Sequence, residues 1–405
     1  MFLLTLLVAL ADEPARSKLT VSAGKHDRED ELVRVPVEVP AADHHSAALF
    51  ADGKRFEVAL LSAEGEAPKG KERLLACFVL PKLAAGKTAE LSLAIRRGKS
   101  AELPKGLLSW RENPEPDSPT LLLAREKLPV LEFVRPTLDE STPAKREATF
   151  KPFHEAFLDG KKLTKGVGGL FTHHRGLFYG FMKASYGKHT VDIWHCKGKT
   201  HQAHRKVLDD SIANAVLGYH RVAIDWNVGE GKTFAKEERE LTAIPLPGGL
   251  LIEFVSKLTP TGEDVKLDGD PQHAGFHFRA ANEVDKNKKE TFFIRPSGVG
   301  EKGKEKNWPG DKKQVDLPWL GMSFVIGGER YTVGYIDHPS NPKPAMFSER
   351  TYGRIGSYFV TTVKKDKPLV VRYRVWLQKG EAKAEKLAAL AKSFAEPAEV
   401  KVEAR

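Results

Sequence analysis

Gln272-His273-Ala274-Gly275-Phe276-His277-Phe278-Arg279-Ala280 reads as a β-strand whose two faces differ in chemistry. Side chains alternate along a strand, so Ala274, Phe276, Phe278 and Ala280 share an apolar face, and His273, Gly275, His277 and Arg279 share the other. A period of two places this segment in a sheet with one side on a core. The opposite side is either solvated or a site. Two imidazoles and a guanidinium beside a glycine gap favour the site, because a merely solvated face is more often Lys, Glu and Thr.

The same grammar extends in both directions. Strands are expected at 121–123, 130–134, 176–182, 190–196, 221–228, 236–244, 250–258, 291–294, 319–326, 331–336, 356–362 and 369–377, joined by Gly- and Pro-centred turns, with 143–147 as a loop. No helical pattern interrupts them, which predicts an antiparallel sandwich and excludes a βαβ protein. Residues 381–394 differ: Ala, Leu and Lys recur with helical period until Pro397, predicting a C-terminal helix. Upstream, short apolar runs at 19–22, 32–39, 55–61, 74–80 and 89–95 outline a small immunoglobulin-like sandwich. The Pro- and Glu-rich stretch 112–120 reads as a linker, giving domains 12–111 and 121–405. The expected fold class is therefore all-β, an N-terminal immunoglobulin-like sandwich plus a large antiparallel β-sandwich with a C-terminal helix.

Composition narrows the function. At 405 residues and 41% hydrophobic the chain has enough apolar material for two cores. The net charge of +10 comes from lysines scattered along the whole length, and nucleic-acid binders concentrate theirs on one face, so no nucleic-acid partner is expected. Residues 1–11 form an apolar run ending Ala9-Leu10-Ala11, the form of a signal-peptidase site, so a signal peptide and a periplasmic or secreted product are expected. No other run approaches the ~18 apolar residues of a membrane helix. Cys77 and Cys196 make no disulfide framework and read as small buried hydrophobes.

Three further segments carry candidate chemistry. In Thr172-His173-His174-Arg175-Gly176-Leu177-Phe178-Tyr179, strict alternation lets only one of the paired histidines face a site, whereas a turn at 171–174 would let both do so. Asp192-Ile193-Trp194-His195 and the following His201 and His204 add an indole, as core filler or as a surface for a sugar ring, and a weak metal spacing. Asp337-His338-Pro339-Ser340-Asn341-Pro342 is a rigid loop leaving a strand, in which Asp337 either orients an imidazole or closes a turn.

With Lys151-Pro152-Phe153-His154, Glu238-Arg239 and Tyr352-Gly353, these segments occur in an order that resembles a family of bacterial exported proteins labelled "PmoA, methane oxygenase". The resemblance spans roughly 120–380 and departs at Gly169-Leu170-Phe171-Thr172, where the family has Asp-His-Pro before the paired histidines. A membrane methane-oxidising subunit needs several spanning helices, and none is predicted here. The resemblance implies a setting of exported carbohydrate processing, and the sandwich is similar in outline to the supersandwich of sugar mutarotases.

The expected activity is that of an exported carbohydrate-active enzyme, a hydrolase, lyase or epimerase. His174 and His338 are the expected acid/base pair, with Asp337 orienting. Arg175, Arg279, Trp194, Tyr179, Asn341 and Tyr352 are the expected contacts to a carbohydrate ligand. The alternative is a divalent-metal enzyme in which His273, His277 and a third histidine, His173 or else His174 or His338, hold the ion. A further alternative is a non-catalytic carbohydrate-binding protein. Paired acids of the glycosidase kind are absent from these motifs, Glu253 being the nearest strand carboxylate.

Overall fold

The computed structural model describes residues 15–63, 65–98, 106–113, 120–229 and 231–404. The expected signal peptide, residues 1–11, and most of the expected linker lie outside the described residues. Two compact units form, one from the chain up to Lys105 together with Pro397–Arg405, the other from Gly106–Glu396. The boundary therefore falls before the expected linker, because Leu108–Asn113 is already a strand of the second unit, paired with Thr120–Arg125. The expected second domain is also too long at its end. Glu399–Ala404 pairs antiparallel with Ala15–Ser22 and belongs to the first unit.

The first unit has a five-stranded and a three-stranded antiparallel sheet. Alternation supplies its core: Leu19, Val21, Leu49 and Leu93 from the larger sheet meet Val33, Val35, Ala76 and Phe78 from the smaller. The run 55–61 is two strands, Lys54–Glu57 and Ala59–Ser62, and His45–Ala51 adds a strand outside the expected runs.

The second unit is built on two nine-stranded antiparallel sheets that face each other across one core. Phe276 stacks on Phe254 of the facing sheet at 4.1 Å and on Tyr373 at 4.9 Å. In the first sheet Ala274–Arg279 lies between Arg354–Tyr358 and Leu177–Phe181. Its apolar face, Ala274, Phe276 and Phe278, points into the core as the alternation predicts. The other face is neither solvated nor open, since all six residues of the strand are buried. The glycine gap is filled as well: a Cβ on Gly275 would stand 2.0 Å from the Ser357 carbonyl, so the gap serves strand packing and not ligand approach.

Local chemistry explains the remaining differences. Pro143–Thr149 is a helix where a loop was expected; the Thr142 hydroxyl accepts from the Lys145 N–H at 3.1 Å, and Pro143 occupies the first turn. The expected strand at 190–196 stops at Val191, and a long strand, Thr200–Ala213, follows. The C-terminal helix runs Ala384–Ala395 and buries Leu387, Leu390 and Ala391. Both cysteines are buried, as expected, and their thiols point at backbone carbonyls, Cys77 at Leu75 and Cys196 at Ile193. No helix among the described residues is long and apolar enough to cross a membrane.

Candidate metal centre

The outer face of the first sheet carries a second layer, and Gly180 decides where it sits. A Cβ there would lie 2.9 Å from the Ile193 carbonyl, so only glycine lets the 192–195 turn rest on the Leu177–Phe181 strand. The Ile193 and Trp194 amides donate to the Phe181 carbonyl at 3.0 and 3.2 Å. Asp192 closes the turn, its Oδ1 accepting from the Trp194 and His195 amides at 3.1 and 2.8 Å. Trp194 is thereby driven inward against Phe178, at 4.6 Å, and His277, at 4.7 Å, while His195 stays half-buried at the rim.

A second turn lies beside it. The His174 amide donates to the Phe171 carbonyl at 2.9 Å, and Phe171 has φ +53°, so the strand alternation begins only at Leu177. Both histidines of the pair are then brought to one side, their rings 4.3 Å apart.

Together with Ala274–Arg279, these turns assemble three imidazoles: one ligand atom each from His173, His195 and His273 lies within 4.8 Å of the others. His195 Nδ1 sits 2.7 Å from Asp192 Oδ2, and His273 Nδ1 sits 3.0 Å from both oxygens of Asp270. Each carboxylate takes the Nδ1–H and leaves Nε2 with a free lone pair, the outer-shell arrangement that orients metal-bound histidines. His173 Nε2 is buried and has no hydrogen-bond partner. Burial, then Lys151 and the two neighbouring imidazoles, push the His173 pKa down to about 2, so this ring stays neutral, as a ligand must. Burial raises the Asp192 carboxyl, but the bonds from His195 outweigh it and hold the group below its ordinary value. His173, His195 and His273 would hold a Zn²⁺ or a similar ion through three imidazoles, a ligand number that leaves room for a water or a substrate atom.

Residues 121–392 match a family described as a family of unknown function, DUF6807, and this match covers most of the chain. The chain belongs to DUF6807. No curated protein matches the sequence. The DUF6807 match contains the whole histidine cluster and both carboxylates that orient it.

Of the three expected metal ligands in this DUF6807 chain, His173 and His273 are in the cluster and His277 is not. His277 is fully buried, its Nε2–H donating to the Ala274 carbonyl at 2.8 Å and its Nδ1 accepting from Arg354 at 2.8 Å, so no lone pair remains. His195 takes its place. The sequence carries a signal for it, a repeated Asp-x-x-His: Asp192-Ile193-Trp194-His195 and Asp270-Pro271-Gln272-His273 each put an aspartate three residues before a ligand histidine. Reading 190–196 as a strand hid the first copy, since a strand would set Asp192 and His195 on opposite faces.

The expected acid/base pair does not form. His174 packs on His173, Phe171 and Tyr352, with both ring nitrogens buried and unpartnered among the described residues. His338 instead has its ring against Phe394 of the C-terminal helix and its Nδ1 bonded to Ser340. Asp337 pairs with Lys343 and Asn341, not with an imidazole. Asn341 ties that loop to the Arg372 backbone at 2.7 and 2.8 Å. This loop closes on itself.

The other expected contacts divide in the same way. Arg175 is fully buried, caps the Pro143–Thr149 helix by donating to the Ala148 and Glu147 carbonyls, and stacks on Phe150, so it holds backbone in place. Tyr179 faces the core between the sheets, and Trp194 is a buried floor with no exposed face for a sugar. Arg279 and half-buried Tyr352 do lie in the site: the guanidinium stands 4.8 Å over the Tyr352 ring, which leans on Phe171 at 5.1 Å. His201 and His204 lie in the Thr200–Ala213 strand, outside the trio.

Proposed function

We propose that the protein is an exported, divalent-metal-dependent enzyme acting on a sugar or oligosaccharide. The observation that carries this reading is the His173–His195–His273 trio with its two orienting carboxylates. An ion held there would supply Lewis acidity and lower the pKa of a bound water. The residues of the chain do the rest. Asp192 and Asp270 fix the ring orientations, and Trp194 and Phe178 form an apolar floor that keeps the surroundings dry. Phe171, 43% exposed, and Tyr352 present aromatic surface of the kind that sugar faces stack on, immediately beside the trio. Among the described residues, the two acids bonded to the trio, Asp192 and Asp270, are occupied by imidazoles, which does not match the free carboxylate pair of a glycosidase.

The test is a panel of neutral and acidic oligosaccharides incubated with the Zn²⁺-loaded chain and with the same protein after chelation, products being read by mass spectrometry. Product formation that disappears on chelation and returns with the ion is expected. A glycan that raises the melting temperature yet stays intact on long incubation would make the protein a binder, and turnover that survives chelation would remove the ion from the chemistry.

A further inference from the structure

Near the histidine trio lie five buried cations, and the two carboxylates there, Asp192 and Asp270, bond to imidazoles. Lys151, Lys165, Arg175, Arg279 and Arg354 are each no more than 1% exposed, and none takes part in an ion pair among the described residues. An unpaired buried cation is costly unless neutral dipoles or a ligand compensate it. Four of the five are met by neutral acceptors. Lys165 donates to the His174 carbonyl at 2.7 Å, Lys151 to the Trp194 carbonyl, Arg175 to three carbonyls, and Arg354 to the Gln272 carbonyl, Ser348 and His277.

Arg279 is different. Its Nη1 donates to the Ala280 and Tyr352 carbonyls, but Nε and Nη2 are buried and have no partner. Those two nitrogens form one edge of the guanidinium, with parallel N–H bonds spaced for the two oxygens of a carboxylate or phosphate. Elsewhere in the same chain the edge is used that way: Arg295 and Arg239 each give Nε and Nη2 to the two oxygens of a glutamate, at 2.7 and 2.5 Å and at 2.8 and 2.9 Å. Tyr352 connects the free edge to the trio, since its ring carries Arg279 at 4.8 Å and runs nearly parallel to His174, whose ring touches His173. His174 adds two unpartnered ring nitrogens of its own. Phe171 packs on Tyr352 and is itself 43% exposed, so the aromatic pair beside Arg279 reaches the surface.

We propose that the Arg279 Nε/Nη2 edge, with Tyr352 and His174 beside it, is a subsite for an oxyanion on the substrate, so that the site takes an acidic sugar, one bearing a carboxylate or a phosphate. This rests on the reading of the trio as the reaction centre only for its biological meaning; the anion contact stands on Arg279 itself.

Calorimetry on the full chain tests it, with galacturonate, its methyl ester, galactose, galactose 6-phosphate and succinate as probes, before and after removal of metal. Expected is a Kd for galacturonate or the sugar phosphate at least about tenfold below that for galactose, with and without the ion, and a methyl ester no tighter than galactose. Whichever acid binds tighter identifies the anion. Arg279→Lys keeps the charge, loses the fork and brings acid and neutral sugar level; the ester comparison gives the same reading in the unaltered chain if that variant does not fold. Acid and neutral sugars binding alike in both metal states would overturn the proposal, and so would an acid preference that vanishes on chelation, which would assign the anion to the ion. Succinate binding as tightly as galacturonate, while galactose does not bind, would support the fork and remove sugars from the proposed function.

Discussion

Replacing His195 with alanine is expected to abolish tight binding of Zn²⁺ or Co²⁺ and any metal-dependent turnover with it, while the fold survives. His195 sits at the rim, on a turn already closed by Asp192 backbone contacts, so its ring is not part of the core. Losing one of three imidazoles costs more than losing an orienting carboxylate, and Asp192→Asn alone is expected to weaken binding by about 10–100-fold. His277→Ala gives the contrasting result: it removes a fully buried ring that Arg354 and the Ala274 carbonyl both use, so stability falls while the ligand set is untouched. Titration calorimetry with Co²⁺, supported by its visible absorption in a tetrahedral histidine site, measures all three variants. Unchanged affinity in His195→Ala would remove it from the ligand set.

A second large effect is acid lability, centred on a different histidine group. His154 and His220 are fully buried, with Nε2 atoms 2.9 Å apart; His154 stacks on Phe133 and His220 on Trp110. Burial, then His204 and Arg239, push His220 down to about 3, and burial, then His220 and Arg239, push His154 well below its ordinary value of 6.5. Glu237, the carboxylate paired with the Arg239 that acts on both rings, is already engaged by Arg239 and the Trp226 indole. Because the folded-state values lie below 6.5, the unfolded chain binds more protons at every pH between the two. The stability these rings contribute is complete above pH 6.5 and is lost as the pH falls toward the folded values. The slope approaches about 1.4 kcal/mol per pH unit for each ring below pH 6.5, or about 3 kcal/mol for the pair between pH 6.5 and 5. Urea unfolding of the chelated protein at a series of pH values reads this directly, and His154→Leu/His220→Leu should flatten the curve. A wild-type stability level from pH 7.5 to 5 would contradict it.

Much of the fold was legible because a sheet writes its pattern locally. Every second residue of 274–280 is apolar, and that face is the core. The outer face differs from that reading because what covers it is not local: Trp194 and Arg354 lie against His277 and Tyr352 against Arg279, from segments far from the strand in sequence, and both residues are completely buried. Loop chemistry was the weakest signal. Thr142-Pro143 starts a helix, and Asp192 turns the chain where Val191 and Ile193 suggest a continuing strand. Two of the three cluster histidines were visible as residue types in odd company. The third needed the Asp-x-x-His repeat, which signals a turn and an oriented ring at once.

The most direct measurement is elemental analysis of the untagged chain beside a His173→Ala/His273→Ala variant, with circular dichroism on both. The trio predicts close to one transition-metal ion per chain, absent from a variant whose β spectrum is unchanged. A folded wild-type chain that carries no such ion and takes up neither Zn²⁺ nor Co²⁺ at neutral pH would contradict the account.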